Sequence, residues 1–154
     1  MADIYDFKLH QLAAGDIMLF RQLLEMFGTA FEDLDTYTGA QPSDEYLDGL
    51  LHSGNFIALT AVQQNVVIGG LTAYELKKFE RERSEIYIYD LAVAEQHRRQ
   101  GIATALIMQL KQIAADRGVY VIFVQADITD PPAISLYSKL GTREDILHFD
   151  IDIS

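Results

Sequence analysis

The sequence predicts an α/β fold with a mixed central sheet, in the order β-α-α-β-β-β-α-β-α-β, within one domain over residues 1–154. Three consecutive strand-like segments between residues 56 and 93, separated by short turns, predict an antiparallel meander. A helical pattern then separates the segment 85–93 from an apolar run at 119–124. Such a strand–helix–strand crossover joins parallel strands, so we expect these two strands to be parallel.

The elements before the meander follow from apolar spacing. Alternating residues from 5 to 10 predict the first strand, and helical spacing from Ile17 to Phe27 predicts an amphipathic helix with Asp16 as its N-cap. Residues 28–41 are irregular and acidic, so we predict mostly loop there. Pro42 begins a second short helix.

Within the meander, residues 56–62 and 66–74 predict a hairpin, and Gly69 and Gly70 predict a bulge or a close approach by another group. After it, helical spacing from residue 102 ends at Gly118. Asp130, followed by two prolines, predicts a helix that runs to Leu140.

Partial alternation in residues 142–153 predicts the last strand or two.

Charge is distributed unevenly along the chain, whose net charge is −11. Segments 16–48 and 127–154 are acidic, and a basic island lies between them at 97–117. This pattern suits an anionic cofactor on one side and a cationic substrate on the other, and it disfavours nucleic acid as a partner. The alternative is that the surface acids serve only solubility.

Composition excludes several classes of chemistry. There is no cysteine, which excludes disulfides and thiol catalysis. The histidines show no metal-ligand spacing, so we expect no metal. No apolar run approaches the length of a membrane span and no signal peptide precedes the first strand, so we expect no membrane partner and a cytoplasmic location.

A candidate anion site lies where the strand 85–93 passes into the next helix. Gly101 lets the backbone approach a ligand, and the N–H groups at the start of the helix favour an anion. Arg98 and Arg99 add fork-shaped donors that suit phosphate oxygens. These features predict a pyrophosphate cradle; the alternative is an ordinary turn with two solvated arginines.

The run Arg98-Arg99-Gln100-Gly101-Ile102-Ala103 resembles the Arg/Gln-x-x-Gly-x-Gly/Ala motif of the GNAT acetyltransferases, whose loop binds the pyrophosphate of acetyl-CoA. The resemblance implies the GNAT acyltransferase fold, with acetyl-CoA as the acetyl donor and no metal. It also implies that backbone groups of the preceding strand hold the pantetheine. The implied cofactor contacts here are Leu91, Ala92, Val93, Arg98, Arg99, Gln100, Gly101, Ile102, Ala103 and Thr104.

A second string, Ala133 to Gly141, resembles the family pattern Ala-x-x-Leu-Tyr-x-x-x-Gly. Tyr137 is the tyrosine that commonly serves there as the acid for the CoA sulfur. The family often has Asn near the start of this helix, where this chain has Asp130. The resemblance therefore adds Asp130, Ala133 and Tyr137 to the cofactor site. The alternative is that Tyr137 only fills the core.

Asp90 stands in an otherwise apolar strand, beside the segment expected to hold the pantetheine. A carboxylate in such a strand is unfavourable unless it has a partner. A substrate ammonium is one partner, which would make Asp90 a catalytic base or an anchor. Arg83 or a backbone cap is the alternative.

Residues 84–93, 123–127 and 148–152 together resemble the class I aminoglycoside 3-N-acetyltransferases, the gentamicin and fortimicin resistance enzymes. The resemblance implies acetylation of the 3-amino group of a 2-deoxystreptamine antibiotic, a cationic aminoglycoside, by a homodimer. The acids that we expect to bind this substrate are Glu32, Asp33, Asp35, Asp90, Asp127 and Asp150.

Two other functions remain open on the sequence. A GNAT enzyme for a polyamine or a protein N-terminus would keep the cofactor loop and differ in its acidic segments. A non-catalytic CoA-binding module would keep the loop and need neither Asp90 nor Tyr137.

Overall fold

The computed structural model describes residues 6–154. The chain divides into two compact units, Met1–Val124 and Gln125–Ser154. The first unit holds the sheet and four of the helices, and the second holds one helix. A single domain over residues 1–154 stays a prediction.

The elements of the first unit, in chain order, are β1 (Lys8–Gln11), α1 (Ile17–Ala30), α2 (Leu34–Thr38), α3 (Asp44–His52), β2 (Phe56–Gln63), β3 (Val66–Lys77), β4 (Ser84–Val93), α4 (Ile102–Asp116) and β5 (Val121–Val124). A short 3₁₀ turn, Glu95–His97, precedes α4. The second unit contains α5 (Pro131–Leu140).

The strands form one mixed sheet in the order β1-β2-β3-β4-β5 within the described residues. β1 to β4 are antiparallel neighbours, and β5 pairs parallel with β4 after the α4 crossover. The predicted meander and the predicted parallel crossover are therefore confirmed.

The two glycines of β3 show that helices cover both faces of the sheet. A Cβ on Gly70 would meet the Leu23 side chain of α1, and a Cβ on Gly69 would meet Ile102 of α4. Because adjacent residues of a strand face opposite sides, α1 and α4 pack on opposite faces. Ile68 is the extra residue of a bulge against β2. Both a bulge and close approaches, which the glycine pair predicted, are present.

The main core lies between the sheet and the two helices α1 and α3. Its buried members include Phe20, Leu23 and Phe27 of α1 and Leu47 of α3, packed against Phe56 of β2. On the opposite face, α4 buries its own apolar stripe, Ile102, Leu106, Leu110 and Ile113. The apolar spacing that predicted both helices therefore marks the sides that face the sheet.

A bulge in β4 decides which way its side chains face. Asp90 pairs with Thr72 and Ile88 pairs with Ala73, so Tyr89 is the extra residue. Tyr74 pairs with Tyr87. Since Thr72 and Tyr74 share a face, their partners Asp90 and Tyr87 also share it, despite their odd spacing.

The pairing of β4 with β5 ends before β4 itself ends. The last parallel pair joins Ile88 to Val124, where β5 stops, while β4 continues to Val93. The stretch expected to hold the pantetheine, Leu91 to Val93, thus follows the end of the parallel ladder.

Two elements in the N-terminal half, α2 and β1, differ from the predictions. Residues 34–38 form α2 instead of loop, with Asp33 Oδ1 accepting a hydrogen bond from the Thr36 N–H at 3.3 Å. A five-residue helix is too short to show an apolar repeat, so spacing gave no signal. The first strand begins at Lys8, and the prediction that involved Tyr5 falls outside the described residues.

The predicted final strand is wrong. In the described structure, residues 142–153 form neither a helix nor a strand. A strand requires a hydrogen-bonded neighbour, and the unit of residues 125–154 holds no other strand to supply one. Charged side chains pair locally instead, Arg143 with Asp145 and His148 with Asp150.

The packing at Gly70 leads to a stability prediction. We expect Gly70→Ala to lower the free energy of unfolding by about 1–3 kcal/mol, as overpacking does, because the new Cβ would lie 2.9 Å from the Leu59 carbonyl oxygen and strike Leu23. Urea denaturation measures the change. Gly49→Ala, in α3 with open space around it, is the control and should raise stability by up to about 1 kcal/mol. Equal stability of the two variants would contradict the packing argument.

Candidate active site

The loop between β4 and α4 combines strained backbone with open space. Arg99 has a φ of +62°, and Gly101, the N-cap of α4, has a φ of +81°. A left-handed backbone at a residue other than glycine costs about 1–3 kcal/mol. A Cβ on Gly101 would meet no atom within 4 Å. The loop is thus held in an unusual conformation beside accessible space.

The start of α4 is equipped to bind an anion. Gly101 has no side chain to cap the helix, and the first turn contains no acid. The N–H groups of Ile102, Ala103 and Thr104 therefore lack the carboxylate or hydroxyl partner that many helices provide, and the helix dipole adds positive potential. These features fit a phosphate-bearing group such as that of acetyl-CoA.

Arg98 has a structural contact that the sequence did not reveal. Its Nε donates a hydrogen bond to the carbonyl oxygen of Val93 at 3.0 Å. The contact joins the loop to the last residue of β4. Arg98 therefore helps to shape the loop, in addition to any charge that it offers to a ligand.

An open cleft of about 730 Å³ lies between α1, the β2–β3 turn and the loop before α4. Three carboxylates line it, Glu25, Glu32 and Glu95, together with His97 and Arg98. Carboxylates outnumber the permanent cation, so this cleft favours a cationic group over phosphate. A surface that attracts cations and a helix end that attracts anions thus adjoin at one loop.

Asp90 projects from the bulged part of β4 and is half-buried. Its Oδ2 accepts a hydrogen bond from the Tyr37 hydroxyl of α2 at 2.9 Å. Burial raises the pKa of Asp90 above its ordinary value, and the hydrogen bond from Tyr37 opposes that rise. Arg83, the partner suggested by the sequence, instead approaches Glu80 and lies over the Tyr120 ring.

Three tyrosines surround Asp90 on the sheet, and we call them the tyrosine cluster: Tyr74 of β3 with Tyr87 and Tyr89 of β4. The ring centroids of Tyr74 and Tyr89 are 5.9 Å apart, as are those of Tyr87 and Tyr89. Burial raises the pKa values of Tyr74 and Tyr87, so both hydroxyls keep their protons. Tyr89 is 62% exposed. Aromatic faces beside one carboxylate suit a cationic ligand that also has apolar rings.

The acids expected to bind substrate near residue 33 lie on the segment that carries Tyr37. Glu32 has a positive φ just after α1, Asp33 caps α2, and Asp35 is in its first turn. Burial and the charge of Asp90 raise the pKa of Tyr37, and the charge of Asp33 raises it further. The fold thus brings this acidic segment to Asp90 through Tyr37, which the sequence analysis missed. The only sequence signal for this contact was the aromatic residue within an acidic stretch.

The remaining predicted site residues belong to the second unit. Asp130 caps α5 through a hydrogen bond from the Ala133 N–H at 3.2 Å. Burial, helped by the charge of Asp130, raises the pKa of Tyr137 to about 12. Asp127 accepts hydrogen bonds from Thr129 within a turn, and Asp150 pairs with His148. Asp127 and Asp150, the acids of this unit that we expected to bind substrate, therefore each have a local partner.

Within residues 6–154, no helix is both long and apolar enough to cross a membrane. That same part of the chain contains no group of three or more His, Cys, Asp or Glu side chains arranged to hold a metal ion.

Comparison with known proteins gives a family match over most of the chain. The profile of the acetyltransferase (GNAT) family matches residues 20–142. N-acetyltransferase 8 of Rattus norvegicus is 27% identical over 139 residues, which cover 77% of this chain and 61% of that protein. The chain spans less than two thirds of the length of the curated relatives that it matches.

Solved structures match over nearly the full chain. An aminoglycoside acetyltransferase from an uncultured soil metagenomic sample is 61% identical, with a TM-score of 0.94 over 96% of this chain and 99% of that one. A second such enzyme, also from an uncultured soil sample and solved in complex with sisomicin, is 34% identical. Its TM-score is 0.89 over 96% of this chain and 97% of that one.

The loop geometry leads to a binding prediction. We expect Arg98→Ala and Arg99→Ala each to weaken acetyl-CoA binding by roughly 10- to 100-fold, because each loses a charge-assisted contact worth about 1–3 kcal/mol. Isothermal titration calorimetry measures this affinity. Lys111→Ala, at an exposed position of α4, is the control and should change it little. Unchanged affinity in both arginine variants would rule out the phosphate cradle.

Proposed function

Because the chain belongs to the GNAT acetyltransferase family, which uses acetyl-CoA as its acetyl donor, we propose that it acetylates aminoglycoside antibiotics. The proposed reaction transfers the acetyl group to the 3-amino group of a gentamicin-type 2-deoxystreptamine drug and confers resistance. The observation that carries the proposal is the half-buried carboxylate of Asp90, set among tyrosines and next to an acidic segment. The soil aminoglycoside acetyltransferases described above support the substrate class.

The residues present fit acetyl-CoA. The uncapped start of α4 and the arginines of the loop would hold its pyrophosphate, and the backbone of Leu91 to Val93 would hold its pantetheine arm. When bound, acetyl-CoA supplies the acetyl group as an activated thioester. Gly101 leaves the backbone accessible at this position, since no atom occupies the space in front of it.

The described surfaces suit a cationic acceptor with several amino groups. Glu25, Glu32 and Glu95 line the cleft, and Asp33 and Asp35 lie on the segment that leads to Tyr37. Carboxylates distributed over a surface raise the association rate and fix the orientation of a polycation. The tyrosine cluster offers aromatic faces to sugar rings and to ammonium groups.

Asp90 has two roles open to it. Drug amines are largely protonated near neutral pH, and an amine must lose a proton before it attacks a carbonyl. The Asp90 carboxylate can accept that proton, directly or through a water, or it can anchor the ammonium group. Both roles require the charged form. Because burial raises the pKa of Asp90, activity should begin to fall at a higher pH than an ordinary aspartate would dictate.

Tyr137 is the proposed donor to the departing sulfur. Since its pKa is raised to about 12, the phenol keeps its proton throughout the physiological range. The same shift makes Tyr137 a weaker acid than a free tyrosine. We therefore assign it hydrogen-bond donation to the sulfur, with complete proton transfer as the less favourable course. A homodimer is proposed from the sequence resemblance alone.

The activity test uses the purified protein with acetyl-CoA and follows thiol release. We expect turnover with gentamicin and sisomicin, and NMR of the product should place the acetyl group on the 3-amino nitrogen. Spermidine and a peptide with a free N-terminus serve as competing acceptors. Faster turnover of either competitor would replace the proposed substrate, and no turnover with any acceptor would favour a CoA-binding module.

Asp90→Asn separates charge from shape. We expect kcat/KM for gentamicin to fall by at least about 100-fold, as for loss of a general base, with acetyl-CoA affinity intact. If Asp90 is the base, kcat should fall most; if it is an anchor, KM should rise most. The folded-state pKa of Asp90 is raised, so its charge opposes folding at pH 7, and Tm there should stay the same or rise. Parental kinetics from pH 6 to 9 would exclude both roles.

Tyr137→Phe removes one hydroxyl from α5. We expect kcat to fall by roughly 10- to 1000-fold while the KM for the drug changes little, because the contact acts only as the sulfur departs. Steady-state kinetics at saturating acetyl-CoA and circular dichroism together measure the effect. Wild-type turnover in a folded Tyr137→Phe protein would show that the hydroxyl has no part in catalysis and that Tyr137 serves only in packing.

A further inference from the structure

We infer that Tyr37 is a positioning residue for Asp90: its hydroxyl keeps the carboxylate charged and oriented toward the amine of the substrate. The inference rests on the proposed function and extends it to α2. Neither the sequence motifs nor the similarity to known proteins assigns a role to Tyr37.

The contact joins two elements that are distant in sequence. The Tyr37 hydroxyl donates to Asp90 Oδ2 at 2.9 Å, across a separation of 53 residues. It occupies one oxygen of the carboxylate, and the incoming amine meets the other oxygen, Oδ1. A half-buried carboxylate with one oxygen fixed in this way presents a defined direction to its ligand.

Aromatic packing fixes the orientation of the Tyr37 ring. Its centroid lies 5.9 Å from that of Phe27 and 5.7 Å from that of Phe31, and those two rings stack with centroids 5.6 Å apart. Phe27 is almost fully buried in α1. The hydroxyl is therefore fixed by aromatic contacts that do not involve it, and Tyr37→Phe can remove the donor while it keeps the ring.

The hydrogen bond from Tyr37 favours the charged form of Asp90. Burial raises the pKa of Asp90, and the hydrogen bond from Tyr37 lowers it. Burial and the Asp90 charge raise the pKa of Tyr37, so the phenol remains a donor whenever the carboxylate is ionised. Loss of the hydroxyl should therefore raise the pKa of Asp90.

The other titratable groups around this pair do not replace the donor. In the described part of the first unit, they are the phenols of Tyr74, Tyr87 and Tyr89 on the sheet, and Asp33 at the start of α2. The phenol of Tyr46 on α3 acts on Tyr74. None of these groups is a cation, and Asp33 adds negative charge. The hydrogen bond that lowers the pKa of Asp90 comes from Tyr37 and from none of these other groups.

The experiment measures the charge state of Asp90 directly. Aspartate carboxyl carbons are labelled with ¹³C, and the Asp90 resonance is identified by its absence in Asp90→Asn. We expect the Asp90 pKa in Tyr37→Phe to rise by roughly 1–2 pH units, as loss of one hydrogen bond to a charged group predicts. The acid limb of kcat/KM for gentamicin should move to higher pH by the same amount.

Tyr120→Phe is the matched control. Its hydroxyl also donates to a carboxylate, Glu85 Oε2 at 3.1 Å, near the opposite end of β4. This variant should leave the Asp90 pKa and the pH profile unchanged. A variant with 3-fluorotyrosine at position 37 keeps the ring and the hydroxyl and is a stronger donor, so it should lower the Asp90 pKa even if Tyr37→Phe fails to fold.

The two proposals fail in different ways. An Asp90 pKa that is the same in the wild type and in both position-37 variants overturns the inference, as does an unmoved acid limb in an active Tyr37→Phe enzyme. Failure of the wild type to acetylate any aminoglycoside overturns the proposed function, and the substrate-free NMR titration still decides whether Tyr37 controls the charge of Asp90.

Discussion

The candidate site depends on the placement of one carboxylate within an apolar sheet. An isolated charge is unfavourable there, so the strand must give it both a donor and a route to solvent. The bulge at Tyr89 meets the geometric part of this requirement, because it turns Asp90 to the face that also carries Tyr74 and Tyr87. The short helix α2 meets the chemical part, because it brings the hydroxyl of Tyr37 to the carboxylate. The bulge in β4 and the position of α2 together make the charge of Asp90 tolerable within the sheet.

Much of the fold was predictable because its signals are local. Apolar spacing identified α1 and α4, the turn residues separated β2 from β3, and the Asp-Pro-Pro sequence located the start of α5. The glycine pair in β3 correctly predicted a bulge and close approaches, since only a residue without a side chain fits against Leu23 and Ile102. The loop before α4 was also identified from its own residues, but its contact with the Val93 carbonyl was not.

Most of the features that sequence reasoning missed require a partner elsewhere in the chain. Tyr37 matters through a residue 53 positions away, and its five-residue helix is too short for an apolar repeat to show. The bulge in β4 is defined by its pairing with β3, so the alternation of β4 alone does not reveal it. The last predicted strand failed for the same reason, since alternation describes one chain and a strand needs two.

The bulge has a consequence for how the site can change. Side chains along a strand alternate, so the facing of every residue beyond Tyr89 depends on whether Tyr89 itself occupies a place in the ladder. In the bulge it does not, and Asp90 takes the place opposite Thr72. If Tyr89 paired with Thr72 instead, the residues up to Val93 would exchange sides. The carboxylate would then point toward α4, and Leu91 would point toward α1. The site is thus specified by the register of two strands, and a change that straightened the bulge would abolish it while every one of its side chains remained in the sequence.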